Sequence, residues 1–79
     1  MEIEGIEHRF GFIAEKKGFV AANQLVEALE IQVIENIEKR EHRFIGDILH
    51  GLGYVSRAQV NEVLKLIDQL KRVLDDGPH

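Results

Sequence analysis

Two short clusters in this chain carry side chains fit for binding chemistry: Arg9-Phe10-Gly11 and Arg43-Phe44-Ile45-Gly46. A guanidinium can fork onto a phosphate or a guanine edge and can stack on a base. An aromatic neighbour supplies an apolar face, and a glycine lets a small ligand approach the backbone amides. The same residues also have a plainer use. In it Phe10 and Phe44 belong to the core, Gly11 and Gly46 are points of helix–helix contact, and both arginines are solvated.

Other chemistries fail on inventory. The chain has no Cys and no Thr, and Ser56 is its sole serine, placed to cap a helix rather than to attack a substrate. A P-loop needs a hydroxyl residue after its Gly-Lys pair, whereas Lys16-Lys17-Gly18 has the wrong order and lacks the hydroxyl. No enzyme class is therefore expected. The histidines His8, His42, His50 and His79 are never three or four residues apart, so no helix turn presents a pair to one metal ion, and they read as solvated or rim residues. The acidic residues lack the spacing of a calcium loop.

The elements that must position the clusters come from a duplication. Gly11/Gly46, Ile13/Ile48, Gly18/Gly53, Val20/Val55, Gln24/Gln59, Glu27/Glu62 and Leu29/Leu64 recur at a spacing of 35, so one unit is written twice, over 9–32 and 44–67. All the periodicity is helical, and the only proline is Pro78. The first helix is expected from about Ile6 to Lys17, stopped by Gly18. The second starts after Ala21 and reaches as far as His42, with Leu25, Leu29, Val33 and Ile37 close to one face. A short third helix runs from about Arg43 to Leu52, stopped by Gly53. Ser56 and Gln59 form a capping box that opens the fourth, whose stripe is Val60, Val63, Leu64, Ile67, Leu70 and Leu74. That stripe outlasts the repeat by two turns, so its surplus covers the other helix pair or forms a homodimer seam, the former preferred. The final DDGPH is expected to fray. The expected fold is all-α: two tandem helical hairpins forming one compact four-helix domain with internal pseudo-twofold symmetry.

Composition agrees with a single globular domain. With 79 residues, 44% hydrophobic and 30% charged, the chain buries only about 60% of its unfolded surface, and a partner or dimer would add to its stability. The net charge of -4 argues against general nucleic-acid binding. The absence of Cys fits a reducing compartment. No apolar run approaches a membrane span, and the acidic start MEIEGIE is unlike a signal peptide, so the expected location is the cytoplasm, without membrane insertion.

The first repeat, RFGFIAEKKGFVAANQLVEALEIQ, resembles the long motif of the MshEN-type domain found at the N-termini of type II secretion and type IV pilus assembly ATPases. That motif reads RLGxx, two aliphatics, xxG, two aliphatics, xxxxLxxxLxxQ. Arg9, Gly11, Gly18, Val20, Leu25, Leu29 and Gln32 match it, Phe10 and Phe19 replace aliphatics, and Ala14 and Glu15 depart from it. The resemblance implies tandem motifs that bind the bacterial second messenger cyclic di-GMP, each serving half of the two-fold ligand. Arg9 would then meet guanine or phosphate, Phe10 would pack on the base, Gly11 would offer backbone and Gln32 a polar contact, with Phe12 beside them. In the second copy Gly46, Leu49, Gly53, Tyr54, Val55, Val60 and Leu64 fit, but Phe44 falls at the Arg position and Ile67 at the Gln position. Arg43 could substitute by a one-residue shift, with Ile45 and Asp47 completing that half.

The ATPase that follows such domains lies outside these residues, so a stand-alone or excised module is expected. Two functions follow. The first is a regulatory module that senses cyclic di-GMP and relays to a secretion, pilus or related bacterial machinery. The second is a docking adaptor of the same fold that captures a protein partner without nucleotide, through exposed residues of the fourth helix such as Leu66 and Val73.

Overall fold

The computed structural model describes residues 4–75 of the chain, with side chains described from Glu7 to Arg72. They form four helices, α1 Glu4–Lys16, α2 Ala22–Glu38, α3 Ile45–Gly51 and α4 Arg57–Asp75, and no strand among the described residues. His79, Leu74 and Val73 carry expectations that lie outside the described side chains, and most of DDGPH lies outside the described residues altogether.

The duplication is visible in the backbone. Gly18 (φ 79°) and Gly53 (φ 84°) are both left-handed. Each closes a Schellman-type stop: Gly18 N–H donates to Glu15 C=O (3.0 Å) and Phe19 N–H to Ala14 C=O (2.9 Å), while Gly53 N–H donates to His50 C=O and Tyr54 N–H to Leu49 C=O, both 3.0 Å. An L-residue would be strained there, which is why both copies keep the glycine. The long helices also start alike. Ser56 and Gln59 make the full capping box, through Ser56 N–H to Gln59 Oε1 (2.9 Å) and Gln59 N–H to Ser56 Oγ (3.1 Å). Ala21 has no hydroxyl, so the first copy keeps one arm only, Ala21 N–H to Gln24 Oε1 at 2.9 Å.

Packing runs largely across the repeats. The short α1 lies along the long α4 of the other copy, the short α3 lies along the long α2, and α1 and α3 meet in the middle. Two equivalent glutamates brace this exchange. Glu27 on α2 accepts from Tyr54 Oη in the second turn (2.6 Å), and Glu62 on α4 pairs with Lys17 in the first turn (3.0 Å). The core is built from Phe10, Ala14, Val20, Ala28, Ile45, Ile48, Leu49, Val55, Val60, Val63 and Ile67. Phe10, with no exposed surface, stands edge-on to Phe44 (centroids 5.1 Å, planes at 78°).

Three expectations about the helices change. First, α2 stops at Glu38 rather than reaching His42. Arg40 takes a left-handed φ of 58° and Glu41 N–H turns back to Glu35 C=O at 3.4 Å, a stop that no glycine or proline announces. Second, the face of α2 carrying Leu29, Val33 and Ile37 is exposed, and Ala28 and Gln32 are what the helix buries. Third, α4 buries Val60, Val63 and Ile67 within the domain but leaves Leu64 and Leu70 partly exposed, and Leu66 is half-buried. No described helix is long and apolar enough to cross a membrane.

Candidate functional site: a groove between α1 and α2

Because α1 leans on α4 and α2 on α3, the two helices of the first repeat leave a groove of about 500 Å³ between them. Gly11, Phe12, Leu25, Val26 and Leu29 line it, with Glu7, His8, Glu15, Ala22 and Gln32 at its edges. The missing Cβ at Gly11 sets its floor, since a methyl there would come within 3.0 Å of Leu25 Cδ2. The apolar surface continues along α2. Phe12 is 59% exposed, Val26 53%, Leu29 43%, Val33 54% and Ile37 72%, and Ala22, Val26, Leu29, Val33 and Ile37 follow one another at intervals of three and four. Lys16 lies over the Phe12 ring, 5.4 Å from its centroid.

Glu7, which sequence reasoning missed, also lines the groove. Its carboxylate, mostly shielded from solvent, accepts from Gln32 Nε2, from Ile45 N–H (2.9 Å) and sits 2.5 Å from His42 Nε2. Gln32 Nε2 also donates to Arg43 C=O at 2.8 Å. Phe44, the residue before α3, has no side chain able to cap, so a carboxylate from α1 supplies the acceptor for the first amide of α3. The spacing held the clue: Glu7 and His42 are 35 residues apart, equivalent positions with complementary chemistry.

The ten residues expected at a ligand are divided by the fold. Gly11, Phe12 and Gln32 reach the groove. Arg9 is exposed on α1. Phe10 is core, and Phe44 packs on it. Ile45 and Gly46 are buried, and a Cβ on Gly46 would meet Phe44 Cε2 at 2.7 Å and Phe10 Cζ at 2.9 Å, so α1 and α3 touch there. Arg43 forks onto Glu35 (Nε to Oε1 3.0 Å, Nη2 to Oε2 2.7 Å), tying the linker to α2. This hydrogen bond holds the Glu35 carboxyl below its ordinary range and raises the Arg43 guanidinium. Asp47 pairs with Arg57 at 3.2 Å. In Tyr54, the hydrogen bond to Glu27 and then burial raise the phenol.

Of the described histidines, His8 and His42 are exposed and His50 is half-buried. His42 is held by Glu7, and His50 Nδ1 lies 3.1 Å from Val55 C=O, whereas His8 is exposed at the groove. No group of three or more His, Asp or Glu side chains is arranged to hold a metal among the described residues.

The matching surface of the second repeat is polar except at Leu64, the equivalent of Leu29. At the 35-residue spacing Asp47 replaces Phe12, Arg57 replaces Ala22, Asn61 replaces Val26, Asp68 replaces Val33 and Arg72 replaces Ile37. Four of the five replacements form two ion pairs, Asp47–Arg57 and Asp68–Arg72, both at 3.2 Å. In comparisons with known proteins, no family model, no curated protein and no solved structure matches this chain.

Proposed function

We propose that the chain is a non-enzymatic docking module whose α1–α2 groove receives an amphipathic helix of a protein partner. The observation that supports this is the contrast between the copies. The same fold is built in the second repeat with charged and amide residues at four of the five equivalent stripe positions, Leu64 being the exception, so folding does not require Ala22, Val26, Val33 and Ile37 to be apolar. From Ala22 to Ile37 the stripe is about 22 Å long at 1.5 Å per residue, the length of some four turns of a partner helix. Helix-in-groove recognition uses apolar anchors at intervals of three and four, which such a stripe accepts.

The test is an amide chemical-shift titration with a synthetic helical peptide of leucine, alanine and glutamine. Shift changes confined to α1 and α2, and lost in Leu29→Asp, are the expected result. Absence of binding, or shifts spread over α4, overturns the reading.

A second reading, cyclic di-GMP sensing on behalf of a secretion or pilus machine, is favoured by one observation. Four residues that match the MshEN-like motif, Gly11, Leu25, Leu29 and Gln32, line the same groove, with Arg9 exposed on α1. Its volume of about 500 Å³ lies in the range of small-molecule sites. It ranks second because Glu7 and Glu15, not cations, are the charged lining, and an anionic ligand gains little beside carboxylates. Calorimetry with the dinucleotide on wild type and Arg9→Ala decides it: micromolar binding that the mutation abolishes supports sensing, and no heat removes it.

A further inference from the structure

Resting on the docking reading, we infer that the helix received by the groove is basic, with Lys or Arg on the flank of its apolar face that meets the glutamates of α2. The apolar floor alone would accept an amphipathic helix of either sign, so the sign must come from the rim. On the α1 side the rim is mixed, with Glu15 beside Lys16, which lies over Phe12, while the Glu7 carboxylate is already engaged by His42, Gln32 and the Ile45 amide, so the uncompensated charge lies on α2. On the far side of the stripe stands Glu30, four residues after Val26 and three before Val33, therefore next to both. All four ionisable residues of α2, Glu27, Glu30, Glu35 and Glu38, are acidic, and α2 has no Lys or Arg. Glu27 and Glu35 are occupied by Tyr54 and Arg43, whereas Glu30 and Glu38 are exposed.

The same rim argues against a second copy. Pairing two α2 stripes would bring glutamate rows together, and like charges across an interface oppose association. The rest of the surface is not uniformly acidic: α4, the equivalent helix, carries Arg57, Lys65, Lys71 and Arg72. Its acidic counterpart α2 is the one that kept the apolar stripe.

Three helical peptides of about 18 residues, roughly 27 Å long, share the same leucines and differ only in polar positions of lysine, glutamine or glutamate. Fluorescence anisotropy at low salt is expected to rank them lysine, glutamine, glutamate. The outer two should differ by about tenfold, and the gap should close near 1 M salt, where the screening length falls to about 3 Å. The double variant Glu15→Lys/Glu30→Lys should invert the ranking, whereas Glu62→Lys on α4 should leave it in place. Equal affinities, a glutamate preference, or a ranking that the rim variants do not move overturns the basic partner while leaving docking standing. Failure of all three peptides overturns docking as well. A wild-type dimer in sedimentation equilibrium that Val33→Asp converts to monomer also overturns the inference, since a second copy then covers the face.

Discussion

The two copies of the repeat make their turns with the same hydrogen bonds and then finish their outer surfaces in opposite ways. Gly18 and Gly53 stop the short helices identically, and Gln24 and Gln59 start the long ones identically. Beyond those bonds, α2 turns Val26, Val33 and Ile37 to solvent where α4 has Asn61, Asp68 and Arg72, while Leu29 and Leu64 stay alike. The inner side diverges too. Gln32 on α2 is buried by the bonds it makes to Glu7 and the Arg43 carbonyl, whereas Ile67 at the same position of α4 is buried as an ordinary core side chain. Turn chemistry is thus shared because the fold needs it twice, and the differences mark what only one half does.

The largest expected effect tests where the shared core is centred. Phe10→Ala removes a fully buried ring between the repeats and should cost about 3–5 kcal/mol in urea unfolding, a large share of the stability of so small a domain. Phe44→Ala, in the half-buried residue just before α3 that packs on Phe10, should cost clearly less. A larger loss at Phe44 would place the centre of the core in the second repeat.

The paired glycines sharpen the comparison at the next size of effect. A methyl on Gly46 meets two aromatic rings held in the core, so Gly46→Ala should destabilise by roughly 1–3 kcal/mol. At Gly11 the neighbour is the tip of Leu25 beside an open groove, and the gain in helix propensity of up to about 1 kcal/mol offsets the crowding. Gly11→Ala should therefore be close to neutral in urea unfolding while narrowing the groove floor. Equal losses at both positions would mean that Leu25 is as firmly held as the phenylalanines.

How much of this was legible depends on whether the residue itself announces its role. Gly18, Gly53 and the Ser56–Gln59 box were readable because left-handed backbone and capping require particular residue types. The stop of α2 was hidden because Arg40, an L-residue with no sequence signal, takes the left-handed conformation that glycine usually takes. The exposed stripe was hidden for a different reason. Helical periodicity identifies an apolar face but not what covers it, so Leu29, Val33 and Ile37 looked like core when the helix buries Ala28 and Gln32. The residues of the groove were half legible: Gly11, Leu25, Leu29 and Gln32 belong to the motif and Phe12 lies beside them, but Glu7 lies before it, and its partners are 25 to 38 residues away.

The comparison can be broken directly by giving α2 the surface of α4. Val33→Asp with Ile37→Arg copies the Asp68–Arg72 pair onto the first repeat, on exposed positions of a helix. Stability should stay within about 0.5 kcal/mol of wild type, since exposed substitutions rarely exceed that and an i,i+4 pair returns a few tenths. Peptide binding in the anisotropy assay should nevertheless be lost. A variant that unfolds would show the stripe to be structural, and one that binds unchanged would move the docking face away from α2.

The smallest expected effect concerns a contact found in one copy only. Glu35, clamped by Arg43, corresponds to Leu70 in the second repeat, so this pair fastens the linker to α2 with no counterpart on α4. The hydrogen bond from Arg43 lowers the Glu35 carboxyl below its ordinary 4.5. The folded state therefore binds that proton less readily than the unfolded chain, and the stabilisation is present above the unfolded value and disappears as pH falls through the lowered folded one. Wild type should accordingly exceed Glu35→Gln in stability at neutral pH, with the difference starting to shrink near pH 4.5 and vanishing at lower pH. Because the pair is solvent-exposed, added salt should reduce the neutral-pH difference as well. Urea titrations of both proteins across pH, at low and high salt, check this. A difference independent of pH would show that the linker is held by the Gln32 bond to the Arg43 carbonyl and by the Arg40 stop, with the guanidinium contributing little.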